Sequence, residues 1–550
     1  MDVKLPAPII ISQDNFHNII NKNCLTINEY FQNVISNGRQ TDLITIFDNY
    51  LADLLNQNSR NNDILLARIL CLISQFNQLS HKLDINYKNP VNNNNKDNDL
   101  KVIIKYFECE ENFRSGLKCL IQLRDSYPIG DCFISECYDR CVSALIKKSV
   151  KTGFDSILPL ISNSDREIPV NQWVTAVCPA RIDLFGGWTD TPPICYEIGG
   201  QVMNIAIQVN HKKPIGCRAR KVENISTDLI TIREFDSNKQ LVSDLKLNNI
   251  EEFIDYCEPD SSGALIKSAL ICCQFVDLNN QTTLHQQLNA NLISGLEIEL
   301  WSDLPQGSGL GTSSILLSCV IAVLWMVSGK QFTKSALINA VLYTEQLLTT
   351  CGGWQDQIGG VIGGVKLGRS EAALPLKISY KKVEISKPFQ SLLEKHLLLI
   401  YSGTVRLAKN LLHTVIQNWY IRDLKITDCF NNLLTNTRLC LDAFQREDLQ
   451  SIGELLTKYW QMKKILATNS EPKSVSKFFN RTEPFIHGGA LCGAGGGGFI
   501  CVIVKQESYK QEVMSIAGQC LTTESQLYEC CVDETGIEIT IDNQLYNLQD

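Results

Sequence analysis

The apolar positions of this 550-residue chain follow two different patterns. Up to about residue 165 they recur at helical spacing. Leu43, Ile44, Phe47, Leu51, Leu54 and Leu55 form one such run, and Ile64, Leu65, Ile69, Leu70 and Ile73 another. Glycine is sparse there, confined to Gly38, Gly116, Gly130 and Gly153. The asparagine-rich stretch 88–99 is polar and of low complexity, which predicts a disordered linker between helices. A second helical block is expected from about Leu100 to Thr152, with Phe133, Cys137, Cys141 and Leu145 on one face. No constellation of reactive side chains appears in this region, so it reads as a helical collar or adaptor.

Near Pro169 the pattern changes. Alternating apolar residues predict strands at Trp173–Val177, Gln201–Val209, Asp228–Phe235 and Gly295–Leu300. Helices are expected at Gly263–Phe275, Ile315–Val327 and Lys334–Thr349. A tight turn should span Cys351–Gly360, with strands at Gly360–Lys366 and Leu397–Ser402. Helices follow at Arg406–Leu412, Ile421–Phe444 and Ile452–Leu466, then strands at Ile500–Val504 and Ile537–Ile541. Runs of strands and runs of helices, without regular alternation, argue an α+β fold. The expected division is 1–165, 166–370 and 371–550.

Composition narrows the function classes. Hydrophobic residues make up 44% and charged residues 20%, as in a soluble globular protein. The net charge of −8 carries no polyanion-binding signature, so no nucleic-acid partner is expected. The start MDVKLPAPII lacks the basic and long apolar regions of a secretory signal, and Ile315–Val327 is too short to span a bilayer. The 22 cysteines, scattered through apolar patterns, read as reduced core thiols of a cytoplasmic protein. The one tight cluster, Cys132, Cys137 and Cys141, has no histidine nearby and reads as packing rather than a metal site.

The stretch Asp303–Ser314 carries the most chemistry. Gly307, Gly309 and Gly311 permit backbone angles closed to other residues, and Thr312, Ser313 and Ser314 stand where a helix should begin. A helix start offers unpaired N–H groups and partial positive charge, so the loop reads as a phosphate cradle. The plainer alternative is a Gly-rich strand-to-helix turn. No Gly-Lys-Ser/Thr follows, which excludes a Walker A loop, and Thr312 stands where a dinucleotide fingerprint needs glycine. Gly493-x-Gly495-x-x-Gly498 leads into a strand rather than a helix, so it too is not that fingerprint; its plain reading is a Gly-rich hairpin turn. Asp356, Glu345 and Arg181 complete a set suited to phosphoryl transfer, although each alone reads as an ordinary surface residue.

Three glycine segments in this order, Pro179–Asp190, Pro305–Ser313 and Gly493–Gly498, resemble the motifs of the GHMP small-molecule kinases. The resemblance covers about residues 170 to 545 and implies a two-lobed kinase fold of mixed sheets and helices, preceded by the helical region. Within that superfamily the wording of 186–193, 352–357 and 406–412 is closest to fucokinases. That implies ATP-dependent phosphorylation of L-fucose to L-fucose 1-phosphate. Alternatives are another GHMP sugar kinase, acting on heptose 7-phosphate, arabinose or galactose, or a non-catalytic sugar sensor.

By the same resemblance, Asp356 is the base candidate and Arg181 its orienting partner. Pro305, Gly307, Ser308, Gly309, Leu310, Gly311, Thr312 and Ser313 would bind ATP, and Ser313 with Glu345 would bind Mg²⁺. Trp188, Asp190, Gly353, Trp354, Gly495, Gly496 and Gly497 would bind the sugar. Galactokinases carry Glu-His where Gly187-Trp188 stands. A 6-deoxy sugar would leave such an acid unpaired, and an indole beside a methyl group suits it better. Residues 1–165 show nothing resembling the nucleotidyltransferase domain of long fucokinases, so a second activity is not expected.

Overall fold

A computed structural model describes residues 27–548, except 38, 57–61, 84–99, 101–102, 105–112, 128, 130–131, 159–160, 164–166, 224–227, 306, 374, 405–408, 422–423 and 469. The expected linker at 88–99 therefore lies outside the described residues, as does the start of the Arg406 segment. The chain forms two compact units. One comprises residues 1–151 and 413–429, the other 152–412 and 430–550.

The first unit is helical, with helices at Ile27–Ser36, Gln40–Asn56, Asn62–Leu83, Phe113–Asp125 and a long one beginning at Cys132. Its core matches the periodic positions: Leu43, Phe47, Leu51, Ile69, Leu70 and Ile73 are buried. Phe31, Phe47 and Phe76 meet edge-on or tilted, with ring centroids 5.3–6.4 Å apart. Cys137, Cys141 and Leu145 are buried together as expected, but Cys132 is exposed, because it opens its helix rather than packing within it.

Among its described residues the second unit holds three sheets of four or more strands, besides a two-stranded pairing of Ser162–Asn163 with Lys330–Gln331. Strands β1 (Val174–Cys178), β4 (Ile215–Val222), β5 (Ile230–Phe235), β6 (Leu241–Leu247), β7 (Gly295–Ser302), β15 (Glu538–Ile541) and β16 (Gln544–Tyr546) form a seven-stranded sheet in the order β16-β15-β1-β4-β7-β5-β6. Only the β5–β7 pair is parallel. Strand β3 (Gly200–Val209) centres a second sheet with β2 (Ala180–Phe185), β8 (Val365–Ser370), β9 (Ile378–Val383) and β14 (Cys530–Val532). The third, β11-β12-β10-β13, joins Ile486–Leu491, Phe499–Val504, Leu397–Tyr401 and Gln526–Tyr528, all antiparallel.

Helix α1 (Thr312–Val327) is buried on every side from Ser314 to Val327 and packs against β1 and β4. An apolar run broken only by Ser318, whose hydroxyl donates to Ser314 O at 3.0 Å, suits such a position, since a surface helix would need a polar face. Helix α2 (Lys334–Leu347) packs beside it, capped by the Thr333 hydroxyl accepting from Ala336 N. Two sequence expectations are corrected. The Cys351–Gly360 turn contains a short helix, α3 (Gln355–Val361), and the following strand begins at Val365 rather than Gly360. Four closely spaced glycines argue for a turn on propensity, but packing of α3 against α1 overrides it. Gly493–Gly498 lies in the loop of the β11–β12 hairpin.

Candidate functional site

Arg181 lies on β2 and Asp356 in the first turn of α3. Arg181 is 2% exposed, so the reading of it as a surface arginine fails. Its Nε and Nη2 donate to Asp356 Oδ1 at 2.9 and 2.6 Å. Among the described residues no hydrogen bond reaches Asp356 Oδ2. Arg181 Nη1 turns the other way, to Gly309 O at 3.0 Å and Asp183 Oδ1 at 3.3 Å. Burial works against the guanidinium's charge, but Asp356 and Asp183 outweigh it and hold its pKa above the ordinary value.

The cradle loop lies directly over this pair. Gly311 adopts φ 78° as the residue before α1, and a Cβ there would sit 3.2 Å from Arg181 Cγ, Arg181 Nε and Asp356 Cβ. The loop braces itself: Ser308 Oγ lies 2.8 Å from Thr312 Oγ1 and accepts from Leu310 N at 3.2 Å. Ser308 is thus buried within the turn, whereas Gly307 and Ser313 are exposed and Pro305, Gly309 and Thr312 are half-buried. Leu310 is buried, and its carbonyl accepts from Arg181 N at 3.2 Å.

The hairpin loop backs the cradle. A Cβ on Gly309 would lie 2.6 Å from Cys492 O, and one on Gly493 would lie 2.8 Å from Gly309 Cα. Phe499 N donates to Ser308 O at 2.9 Å. Two backbones this close leave room only for glycine. Gly495 rests against Ser470 and Trp460, Gly496 N donates to Ser470 O at 2.5 Å, and Gly497 faces Thr404 O.

Asp190 is fully buried; its oxygens accept from Trp188 N at 3.0 Å and Gln355 N at 3.1 Å. Gly353 presses on it so closely that a Cβ would meet Asp190 Oδ2. Burial, then the charge of Asp356, raises the Asp190 pKa to about 7. Trp188 is 5% exposed at φ 81°, in the turn beside it. Trp354 is wholly buried between β3 and β8, against Gly200 and Gly368. It supports the Asp190–Gly353 contact from the core side and presents no surface.

Glu345, on α2, is 4% exposed, and burial raises its pKa. Ser314 Oγ donates to its Oε1 at 2.7 Å and Thr350 Oγ1 to its Oε2. The hydroxyl brought to Glu345 is therefore Ser314; no hydrogen bond links Glu345 to Ser313 among the described residues. Nor do those residues contain a cluster of three or more His, Cys, Asp or Glu suited to a metal ion.

Sequence reasoning missed Asp183, Tyr459 and Lys463. Asp183 Oδ1 accepts from Arg181 Nη1 and from Gly493 N at 3.2 Å. Its Oδ2 accepts from Tyr459 OH at 2.7 Å and Lys463 Nζ at 2.8 Å. Burial opposes the charge on Asp183, but Lys463 and Arg181 hold its pKa below the ordinary value. Both Tyr459 and Lys463 come from α4 (Leu449–Leu466). The strand gave one usable signal: Arg181 and Asp183, two apart, share a face and carry opposite charge. At Gly187 any Cβ would collide with the Tyr459 hydroxyl, so no acid fits where galactokinases carry one.

Two family models match this chain: the GHMP kinases N-terminal domain over residues 278–364 and the GHMP kinases C-terminal domain over 440–520. A bifunctional fucokinase/GDP-fucose pyrophosphorylase of Arabidopsis thaliana is 32% identical over 61% of this chain and 30% of that protein. An L-fucokinase/L-fucose-1-P guanylyltransferase of Bacteroides fragilis is 31% identical over 64% of this chain and 37% of that protein. The chain thus spans about a third of the length of these curated relatives. A solved structure from Listeria innocua superposes with a TM-score of 0.50 at 12% identity, covering 67% of this chain and 99% of that one; it bears on the fold alone. No helix among the described residues is long and apolar enough to cross a membrane.

Proposed function

We propose that this chain, which matches the GHMP kinase N- and C-terminal domain models, is a GHMP kinase that transfers the γ-phosphoryl group of ATP to the anomeric hydroxyl of L-fucose. The Arg181–Asp356 pair beneath Gly311, at the start of α1, carries this reading. It puts a carboxylate with an unbonded oxygen directly under a loop suited to phosphates.

The residues present fit ATP. Gly307 and Gly311 keep side chains out of the loop, and the α1 start offers backbone N–H groups that no side chain caps. They also fit Mg²⁺ in the manner usual for this ion, which takes one or two protein ligands and the substrate's phosphates. Ser313 and Glu345 would hold it. Each Glu345 oxygen accepts one hydroxyl and keeps acceptor capacity. Bound there, the ion would neutralise phosphate charge as transfer proceeds.

The remaining steps belong to this chain's side chains. Arg181 fixes the Asp356 carboxylate by its Oδ1, and Oδ2 accepts the hydrogen bond of the sugar's anomeric hydroxyl. As that oxygen bonds to the γ-phosphorus, the bond from phosphorus to the β–γ bridging oxygen breaks and the proton passes to Asp356. ADP and the sugar 1-phosphate leave, and the proton goes to solvent. Much of the catalysis is positioning, since phosphoryl transfer asks little covalent chemistry of the protein. Gly353 borders the sugar, fully buried Asp190 positions the Trp188 and Gln355 backbone around it, and Trp188 lies beside its methyl group. The collision at Gly187 supports a sugar lacking a 6-hydroxyl, because no acid can stand there to bind one.

The test is ATP consumption by the purified chain with L-fucose, D-arabinose, galactose and heptose 7-phosphate, followed by NMR of the product. L-fucose should turn over fastest and carry the phosphate on its anomeric oxygen. Preference for another sugar, or phosphate on another oxygen, would refute the assignment.

A further inference from the structure

Asp183 touches no part of the cradle's open face, yet its carboxylate accepts four hydrogen bonds from three separate segments: Arg181 on β2, Tyr459 and Lys463 on α4, and the backbone of Gly493. The side chains of Asp183 and Lys463 are each 1% exposed, so neither reaches a substrate. Asp356, Arg181, Asp183 and Lys463 form a run of alternating charge that sums to zero. A buried carboxylate so fully satisfied is geometrically rigid, because any shift strands a donor. Arg181 is the shared member. Its Nη1 is held by Asp183 and Gly309, which leaves only the Nε–Nη2 edge for Asp356. A free guanidinium would meet a carboxylate through two oxygens at once; here both donors fall on Oδ1.

We propose that Asp183, Lys463 and Tyr459 are positioning residues: they hold Arg181 so that it engages Asp356 Oδ1 alone and leaves Oδ2 to the acceptor hydroxyl. The proposal rests on the kinase reading above and deepens it. It also ties α4 to the first glycine of the hairpin loop, since Gly493 N shares the Oδ1 atom that Arg181 uses. Loss of the Asp183 contacts lets Arg181 rotate onto both oxygens of Asp356, which removes the proton acceptor without disturbing the nucleotide loop.

Three variants of the full chain test this: Tyr459→Phe, Lys463→Met and Lys463→Arg. Turnover is measured beside the wild type with saturating sugar, together with KM for ATP and the melting temperature. Tyr459→Phe keeps the ring that packs on Phe185 and should fold normally, with kcat lowered about tenfold and KM for ATP unchanged. Lys463→Met should lower kcat about a hundredfold or more, and Lys463→Arg should recover at least about tenfold of that loss. If Lys463→Met does not fold, Tyr459→Phe decides alone. Wild-type kcat in Tyr459→Phe, or losses of kcat that track melting temperature and KM for ATP together, would overturn the positioning role while leaving the kinase reading intact. Absence of sugar-dependent turnover in the wild type would instead overturn the kinase reading, and this role with it.

Discussion

Arg181 contacts Asp356 through a single carboxylate oxygen, with Nε and Nη2 both converging on Oδ1. The second oxygen accepts no hydrogen bond among the described residues, and the proposed mechanism gives it to the acceptor hydroxyl. Asp356→Asn keeps an acceptor for Arg181 but offers a poor proton acceptor. We expect kcat to fall by several orders of magnitude, while ATP affinity measured by calorimetry changes by less than about threefold. Normal turnover in this variant would remove Asp356 from the reaction.

Gly311 is the contact between cradle and ion pair. Alanine there adopts a left-handed backbone at a cost of about 1–2 kcal/mol. It also intrudes on Arg181 and Asp356 at 3.2 Å. Gly311→Ala should therefore lower kcat about tenfold to a hundredfold and the melting temperature by several degrees. A loss of stability with unchanged kcat would show that the contact has no catalytic consequence.

Asp190 makes a prediction about pH. Its folded pKa of about 7 lies above the unfolded value, because burial and Asp356 disfavour its charge. The folded state therefore binds more protons between about pH 4 and 7, and stability falls as pH rises through that window. Asp190→Asn removes the penalty and retains an acceptor for Trp188 N or Gln355 N. Its melting temperature should exceed the wild type's at pH 8, and the gap should narrow towards pH 5. A gap independent of pH would place the Asp190 titration elsewhere.

Glu345 is tested by metal dependence. Glu345→Gln keeps hydrogen-bond partners for Ser314 and Thr350 but removes the charge. The Mg²⁺ concentration giving half-maximal turnover should rise about tenfold or more. An unchanged requirement would leave Glu345 as an anchor of α1 and nothing more.

Trp188 is tested by substrate preference. Trp188→Ala should reduce turnover of L-fucose more than that of L-galactose, which differs at the 6-position. An unchanged ratio would take Trp188 out of the sugar pocket.

The elements most legible in the sequence were those where pattern and packing agree. The long apolar run of α1, with Ser318 its one hydroxyl after Ser314, reads directly as a helix buried on all sides, and the alternation of Val174–Cys178 as a strand. Helix α3 was hidden because Gly352, Gly353, Gly359 and Gly360 carry turn propensity, and only packing against α1 makes it helical. Within the site, Arg181 and Asp356 were reachable through their motifs. Lys463 was not, since a lysine four residues after Tyr459 on an amphipathic helix looks like any solvated one. Its burial is set by Asp183 on a strand about 280 positions earlier, a separation that no local pattern encodes. Ser314 was passed over for the same reason: three adjacent hydroxyls look alike until Glu345 arrives from α2 to choose among them.

The close contact between Gly309 and Gly493 has a consequence for how the protein is made. The Gly307–Gly311 loop has no rear wall until the β11–β12 hairpin has been synthesised. Strand β1 likewise waits for β15, near the end of the chain, before one of its edges is paired. A ribosome-bound chain that has extruded every residue through Phe485 thus holds Arg181, Asp356 and the whole cradle loop, yet has no site. On the proposed assignment, the site is completed only late in translation.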